Sequence, residues 1–203
     1  MKFGKYLVGI DEAGRGPLAG PVAVASFCVS AEFHKTILDF FPKRKIRDSK
    51  KLSPKRREEI FKMLKQAKFR REISLAVSFG SAGRIDKLGI AVVIRKSVEK
   101  VLARLPVEAS ECLVLLDGAL RAPSRFLCQK TIIRGDETEA VIALASIVAK
   151  ISRDRRMVSL AKKYPRYGFD IHKGYGTKRH YAALKKYGPS PVHRRTFLKN
   201  LVK

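Results

Sequence analysis

Apolar and polar positions along the chain follow two periods, one typical of strands and the other of helices. Residues 6–11 and 21–30 are apolar and β-branched and are separated by a turn rich in glycine and proline, so each predicts a strand. Apolar residues alternate with polar ones over residues 71–79, which predicts a third strand. A compact apolar run at residues 112–116 predicts a fourth strand, and residues 130–134 are predicted to form a fifth.

Other segments have apolar residues at helical spacing. Helices are predicted at residues 53–68, 85–105, 137–163 and 178–187. Ser53 and Pro54 are typical of the first positions of a helix, and Pro106 is expected to end the second. Strands come first as a meander and later alternate with helices, so the predicted fold class is α/β, a mixed sheet with helices packed on it. We expect a single domain over residues 1–203, with about 162–203 as a basic C-terminal extension.

The charge of the chain indicates its class of partner. It has 203 residues, with 44 Lys+Arg against 18 Asp+Glu, a formal net charge of +26 and a pI of about 10.4. Residues 43–71 carry fourteen basic and three acidic residues, and residues 162–203 carry twelve and one. Because basic surfaces attract polyanions and release their counterions, nucleic acid is the first partner to expect. A solvated, lysine-rich surface or adaptation to a hot cell remains an alternative.

Membrane and secretory functions are not expected. The longest apolar run, residues 141–149, is far shorter than the roughly 18–20 residues that span a bilayer. The N-terminus has neither the long apolar region nor the cleavage site of a secretory signal. Cys28, Cys112 and Cys128 are odd in number and widely spaced, which is typical of thiols in a reducing compartment. A cytoplasmic monomer is the simplest expectation.

The scarce acidic residues lie at the ends of predicted strands. Asp11 and Glu12 end the first strand, Asp117 ends the fourth, and Asp136 follows the fifth. Clustered carboxylates repel one another, and a hard divalent cation such as Mg²⁺ or Mn²⁺, which prefers oxygen ligands, would relieve this repulsion. Carboxylates that hold a cation in a strongly basic protein indicate phosphoryl-transfer chemistry on nucleic acid.

Each carboxylate also has a purely structural interpretation. Asp117 with Gly118 is a common turn pair, and Asp136 with Glu139 matches a helix N-cap and its partner three residues on. Asp11 and Glu12 are neighbours in a strand, whose side chains point to opposite faces unless the strand ends or bulges there. The pattern alone leaves these alternatives open.

A glycine-rich loop, Gly14-Arg15-Gly16, follows the first two acids. Its glycines allow the backbone to approach a sugar-phosphate closely, and the guanidinium can form paired hydrogen bonds. The run DEAGRGPLAGPV resembles the opening signature of the ribonuclease HII family, enzymes that cut RNA embedded in duplex DNA. The resemblance continues in order through RDSKKL at 47–52, LDG at 116–118, GD at 135–136, ASIVAK at 145–150, HKGYGT at 172–177 and HRR at 193–195.

The resemblance implies an RNase H-like fold, with a five-stranded mixed sheet, flanking helices and a C-terminal helical segment. It makes Asp11, Glu12, Asp117 and Asp136 the catalytic, metal-binding carboxylates for Mg²⁺ or Mn²⁺, with two ions in the reaction and Asp11 central. Water would attack the phosphate 5′ of a ribonucleotide and leave a 3′-hydroxyl and a 5′-phosphate. The implied substrates are RNA/DNA hybrids and duplex DNA that contains ribonucleotides.

Recognition of the RNA–DNA junction is assigned by the resemblance to Gly14, Arg15, Gly16 and Tyr175. Only the 2′-hydroxyl distinguishes RNA from DNA at a given site, and loop amides can bond it while the tyrosine ring packs on a deoxyribose. A partly buried core tyrosine is the alternative for Tyr175. Lys50, Lys150 and Arg153 are further candidates for phosphate contact, although Lys150 and Arg153 could equally lie on the surface of a helix or pair with Asp154.

Two competing functions remain. A junction resolvase also uses an acidic metal site, but it has no need to sense a 2′-hydroxyl. A non-catalytic, basic nucleic-acid-binding protein would lose affinity for a polyanion through four acids at strand ends unless a metal neutralised them. Cleavage that requires metal would distinguish the nuclease from the binder.

Overall fold

A five-stranded sheet lies at the centre of the computed structural model, which describes residues 4–40 and 52–198. Its strands are β1 (Tyr6–Ala13), β2 (Val22–Ser30), β3 (Ile73–Gly80), β4 (Cys112–Asp117) and β5 (Gln129–Ile132). They lie in the order β3-β2-β1-β4-β5. The first three form an antiparallel meander, while β4 and β5 run parallel to β1. The mixed sheet and the α/β class are therefore as predicted.

Helices cover both faces of this sheet and continue into the C-terminal segment. They are α1 (Ala31–Phe40), α2 (Pro54–Phe69), α3 (Ala82–Leu88), α4 (Ile90–Leu102), α5 (Gly135–Thr138), α6 (Ala140–Lys163), α7 (Phe169–His172) and α8 (Lys178–Tyr187). The prediction for the start of α2 is confirmed, because the Ser53 hydroxyl accepts the N–H of Arg56 at 3.2 Å and Pro54 is the first helical residue. Within the described residues, no helix is long and apolar enough to cross a membrane.

Strand alternation divides the core into two layers. On β1 and β4, Leu7, Leu113 and Leu115 pack on the face that α6 covers, whereas Val8 and Val114 pack on the face that α4 covers. The contact with α6 is close, since a Cβ on Gly9 would lie 2.1 Å from the carbonyl oxygen of Val141. Each fully buried aliphatic side chain stabilises such a core by about 1.5–3 kcal/mol. The helix α6 therefore packs directly on the central strands of the sheet.

Two predicted helices are interrupted in the structure. The segment 85–105 breaks at Gly89, whose φ of 77° is accessible to glycine at little cost, and α4 begins at the next residue. The segment 137–163 breaks at Glu139, which is extended, so α6 begins at Ala140. Asp136 lies inside the separate short helix α5. The interpretation of Asp136 and Glu139 as one capping pair is therefore wrong.

The C-terminal segment packs on α6 and on the loop that follows β1. Met157 of α6, Tyr167 and Phe169 belong to a third buried apolar cluster. Backbone hydrogen bonds join the loop after β1 to the chain near residue 193: the N–H of Arg194 donates to Leu18 (2.8 Å), and the N–H of Gly20 donates to Val192 (2.8 Å). The segment around residue 193 is thus fastened beside the glycine-rich loop.

Candidate active site

A cavity of about 460 Å³ opens where β1 and β4 end. Its lining brings together three predicted acids and most of the predicted substrate-contacting residues: Asp11, Glu12, Asp117, Gly14, Arg15, Gly16 and Tyr175. Arg57 of α2 and Ser146 and Lys150 of α6 also line it. Lys50 lies outside the described residues.

Asp11 and Asp117 are neighbours because of strand register. The parallel ladder between β1 and β4 ends at the pair Ile10–Leu116, so the two aspartates are the next residues on both strands and share the face toward α6. Asp11 is only 4% exposed. Burial raises the pKa of Asp11 well above its ordinary value, and the neighbouring Asp117 carboxylate raises it further, while a hydrogen bond from Ser146 opposes both.

Glu12 lies at the end of β1 and lines the same cavity, although strand alternation places it on the opposite face from Asp11. Its carboxylate pairs with the Arg15 guanidinium at 3.3 Å. Burial raises the pKa of Glu12, and Arg15 opposes the rise. Because the strand ends here, Asp11 and Glu12 can line one cavity although adjacent strand residues point to opposite faces.

Asp136 is fully buried and is not among the described residues that line the cavity. The short helix α5 places it next to Asp117, whose Oδ1 accepts the backbone N–H of Asp136 at 3.3 Å. Its role as a fourth metal ligand stays a prediction.

The chemistry of the cavity fits a hard divalent cation. Carboxylate oxygens are the ligands that Mg²⁺ and Mn²⁺ prefer. The negative charge of Asp11 is disfavoured by burial and by Asp117, and a cation would compensate for both. Among the described residues, no three His, Cys, Asp or Glu side chains are already arranged to hold a metal ion. The fit therefore rests on the type of donor and on the excess of buried negative charge.

The glycine-rich loop and Tyr175 form the other side of the cavity. Gly14 has a φ of 90°, and a Cβ there would lie 1.8 Å from Nε of Arg153. Tyr175 is 44% exposed, so the interpretation as a core tyrosine is wrong. The guanidinium of Arg153 lies 5.7 Å from the centre of the Tyr175 ring. A single buried arginine thus contacts both parts of the predicted recognition surface.

A family model described as ribonuclease HII matches residues 8–200 of the chain. The chain belongs to the ribonuclease HII family. It is 40% identical to ribonuclease HII of Caldicellulosiruptor bescii over 198 residues, which covers 98% of this chain and 89% of that protein. It is 44% identical to ribonuclease HII of Chlamydia pneumoniae over 195 residues, covering 94% and 82%.

A solved structure extends the comparison to the fold. The crystal structure of ribonuclease H2 from Pyrococcus horikoshii OT3 is similar with a TM-score of 0.73 at 25% identity, covering 97% of this chain and 96% of that one. The RNase H-like fold is thereby confirmed. As a member of the ribonuclease HII family, the chain is a metal-dependent endonuclease with ribonuclease H activity on RNA/DNA hybrids. The interpretations as a non-catalytic binder or a junction resolvase are therefore wrong.

Sequence reasoning missed several residues of this family member's site. Ser146 interrupts an apolar run, which is a signal that could have identified it. Arg57 is one of many basic residues in its segment and carries no such signal. Arg194 is fully buried, although arginines in a chain this basic are expected at the surface. The expectation that Arg153 contacts a phosphate or lies at the surface is wrong, since it is 1% exposed and donates to backbone carbonyls.

A chain of neutral histidines supports the backbone of Tyr175. The N–H of Ser190 donates to Nδ1 of His193 (2.9 Å), so His193 carries its proton on Nε2, which lies 3.0 Å from Nε2 of His180. His180 in turn donates from Nδ1 to the carbonyl oxygen of Tyr175 at 2.9 Å. The ring of His172 stacks on that of His180, with centres 4.4 Å apart.

This arrangement predicts acid sensitivity. Burial lowers the pKa of all three histidines, that of His193 to about 4, whereas an unfolded histidine has a pKa of roughly 6.5. Between these values the unfolded chain binds more protons, so the stabilisation is complete above about pH 6.5 and is lost as the pH falls toward 4.

Thermal unfolding between pH 7.5 and 4.5 measures this loss. Each kcal/mol of unfolding free energy that is lost lowers the melting temperature by roughly 2–4 °C in a chain of this length. Because other groups also titrate, the informative comparison is with His193→Phe, whose melting temperature is expected to fall less steeply with acidification. Parallel pH profiles for the two proteins would contradict the prediction.

Proposed function

We propose that this enzyme cuts duplex DNA on the 5′ side of an embedded ribonucleotide, as well as RNA/DNA hybrids, and leaves a 3′-hydroxyl and a 5′-phosphate. The observation that carries the proposal is the shared cavity, which is lined by Asp11, Glu12 and Asp117 on one side and by the glycine-rich loop and Tyr175 on the other. The acids that would hydrolyse the phosphate and the residues that would contact the ribose therefore act on the same nucleotide.

The acidic side of the cavity would hold Mg²⁺ or Mn²⁺ through Asp11, Glu12 and Asp117, with Asp136 as the fourth carboxylate. When bound, the metal polarises the phosphate and activates water. The Ser146 hydroxyl donates to the Asp11 carboxylate and orients it. The positive side chains of Arg57 and Lys150 line the same cavity and attract the phosphates that flank the reacting one.

The other side of the cavity would recognise the ribonucleotide. Within the described residues, the backbone N–H groups of Arg15 and Gly16 make no hydrogen bond to the protein, and both residues are exposed. They are available to donate to the 2′-hydroxyl, the group that distinguishes ribose from deoxyribose. The exposed ring of Tyr175 offers an apolar face to the neighbouring deoxyribose.

The test is cleavage of a DNA duplex with one internal ribonucleotide, in Mg²⁺, Mn²⁺ or EDTA, with both product ends identified. We expect a metal-dependent cut on the 5′ side, with a 3′-hydroxyl on the upstream strand and a 5′-phosphate on the ribonucleotide. A cut on the 3′ side with a 2′,3′-cyclic phosphate would mean attack by the 2′-hydroxyl itself, and would overturn the proposal. Equal cleavage in EDTA would do the same.

A methyl group on Gly16 is expected to affect the substrate and not the fold. A Cβ at Gly16 meets no atom within 4 Å, so Gly16→Ala should melt within about 1 °C of the wild-type protein. The methyl group would stand between the loop backbone and the ribose, and we expect cleavage at a single ribonucleotide to fall about tenfold. Steady-state kinetics and thermal unfolding measure the two effects. Unchanged cleavage kinetics would mean that the ribose does not lie against the backbone of Gly16.

Three further features belong to the proposal. The chain acts as a monomer in the cytoplasm, which agrees with its free cysteines, two of them buried. Residues 1–203 form a single catalytic domain, and the segment from about 162 is its C-terminal extension. Lys50 contacts a substrate phosphate. Light scattering at working concentration tests the monomer, and a mass twice that of the chain would contradict it.

A further inference from the structure

Two buried arginines lie between the glycine-rich loop and the C-terminal segment. Arg153 and Arg194 are 1% and 0% exposed, and among the described residues neither forms a salt bridge with a carboxylate. Burying an unpaired guanidinium is costly unless its N–H groups find acceptors. In this protein the acceptors are backbone carbonyls, so these cations serve to fix the positions of loops.

Arg194 holds the glycine-rich loop. Its Nη2 donates to the carbonyl of Gly14 (2.6 Å), its Nη1 to that of Arg15 (2.8 Å) and its Nε to that of Gly20 (3.0 Å). One planar group thereby fixes the loop and also Gly20, which lies four residues beyond it. Because the carbonyls of Gly14 and Arg15 point toward Arg194, the orientation of the peptide planes in the loop is determined as well.

His193, the preceding residue, holds Tyr175. Its Nε2 donates to His180, which donates to the carbonyl oxygen of Tyr175. The backbone at this point is itself fastened to the loop after β1, by a β-bridge between Ala19 and His193. His193 and Arg194 are neighbours in one extended segment. One supports Tyr175 through His180 and the other supports the glycine-rich loop, which are the two parts of the surface that would contact a ribonucleotide.

Arg153 fills the space between these two parts. It donates to the carbonyls of Pro21 (2.9 Å) and Lys173 (2.9 Å), which lie beyond the loop and just before Tyr175. Its side chain occupies the position where Gly14 would carry a Cβ. A shift of the loop relative to Tyr175 would therefore break several hydrogen bonds at once.

We infer that His193 and Arg194 form a brace that fixes the distance between the loop Gly14–Gly16 and Tyr175, and that this distance determines the preference for a single ribonucleotide in DNA. The inference rests on the proposed function. A displacement of about 1 Å between positioned groups can lower a rate about 100-fold. In a hybrid every nucleotide of one strand carries a 2′-hydroxyl, so a shifted loop still finds one. A duplex with a single ribonucleotide offers only one 2′-hydroxyl.

The central variant is Arg194→Met, with Arg195→Met as its matched control. Arg195 is adjacent, exposed and of equal charge, and its side chain makes no hydrogen bond to the residues that the structure describes. We expect Arg194→Met to lower kcat/KM on the single-ribonucleotide duplex about 100-fold and on a hybrid less than about tenfold. The control should change both by a similar, small factor. Arg194→Lys, which keeps the charge and can reach one carbonyl, should recover part of the preference.

A second measurement needs neither metal nor substrate. Amide hydrogen exchange should accelerate over residues 14–20 in Arg194→Met and around residues 173–176 in His193→Phe, which keeps a ring but not its hydrogen bonds. If Arg194→Met does not melt cooperatively, Arg194→Lys takes its place in both experiments. Equal losses on the two substrates, or unchanged exchange in both segments, would overturn the brace. If the wild-type enzyme cuts hybrids but ignores a single ribonucleotide, the proposed function fails, and the exchange data still decide whether the brace exists.

Discussion

Replacing Asp11 by asparagine is expected to slow metal-dependent cleavage severely and to raise the melting temperature of the metal-free protein. Asparagine keeps the shape but removes the charge of the most buried carboxylate that lines the cavity. We expect the rate to fall by roughly 10³-fold, as for the loss of a central electrostatic group. The stability should rise, because burial and the neighbouring Asp117 both disfavour a negative charge at this position.

Single-turnover cleavage and thermal unfolding, with and without Mg²⁺, measure the two effects. Each kcal/mol of unfolding free energy that is gained raises the melting temperature by roughly 2–4 °C in a protein of this size. Adding Mg²⁺ should stabilise the wild-type protein more than Asp11→Asn, because bound metal stabilises only a folded site. Asp170→Asn is the control, since Asp170 is an exposed acid outside the cavity. An Asp11→Asn protein that melts lower than wild type, or keeps a tenth of its rate, would contradict the assignment.

The second large effect is expected at Gly14. Alanine there would have to adopt a φ of 90°, and its methyl group would overlap Nε of Arg153. Arg153 cannot move away without losing its bonds to Pro21 and Lys173. Left-handed backbone costs about 1–2 kcal/mol and overpacking about 1–3 kcal/mol, so the variant should melt several degrees lower.

Cleavage by Gly14→Ala should fall about 100-fold, because the loop must move from its position beside Asp11. Gly83→Ala is the matched control: Gly83 lies in α3, and a Cβ there meets no atom within 4 Å. That variant should cleave normally and be slightly more stable, since alanine favours helix over glycine by about 1 kcal/mol. Normal cleavage by Gly14→Ala at an unchanged melting temperature would show that the loop tolerates a side chain.

Local patterns predicted the elements of this fold more accurately than their ends. Ser53 and Pro54 marked the start of α2, because capping depends on neighbouring residues alone. The break at Gly89 separates two segments of similar apolar period, and periodicity does not show such a break. The helix α1 (Ala31–Phe40), which continues directly from β2, was not predicted.

The site was predictable as far as it depends on strand order. Asp11 and Asp117 end strands that proved to be adjacent and parallel, so their proximity follows from register. The roles of Arg153 and Arg194 depend on contacts between segments more than 130 residues apart, which composition does not reveal. A surplus of basic residues predicts an exposed, phosphate-binding surface, whereas these two arginines are buried against carbonyls.

The requirement for one 2′-hydroxyl tests the central claim most directly. Three duplexes identical except at one 2′ position, which carries hydroxyl, fluorine or hydrogen, would be cut under single-turnover conditions in Mg²⁺. We predict a cut 5′ of the ribonucleotide, a much slower cut with fluorine, which accepts hydrogen bonds only weakly and donates none, and no detectable cut with hydrogen. Equal rates for the three duplexes would contradict the account, since the loop and the tyrosine that share the cavity with the catalytic acids could not then be recognising the ribose.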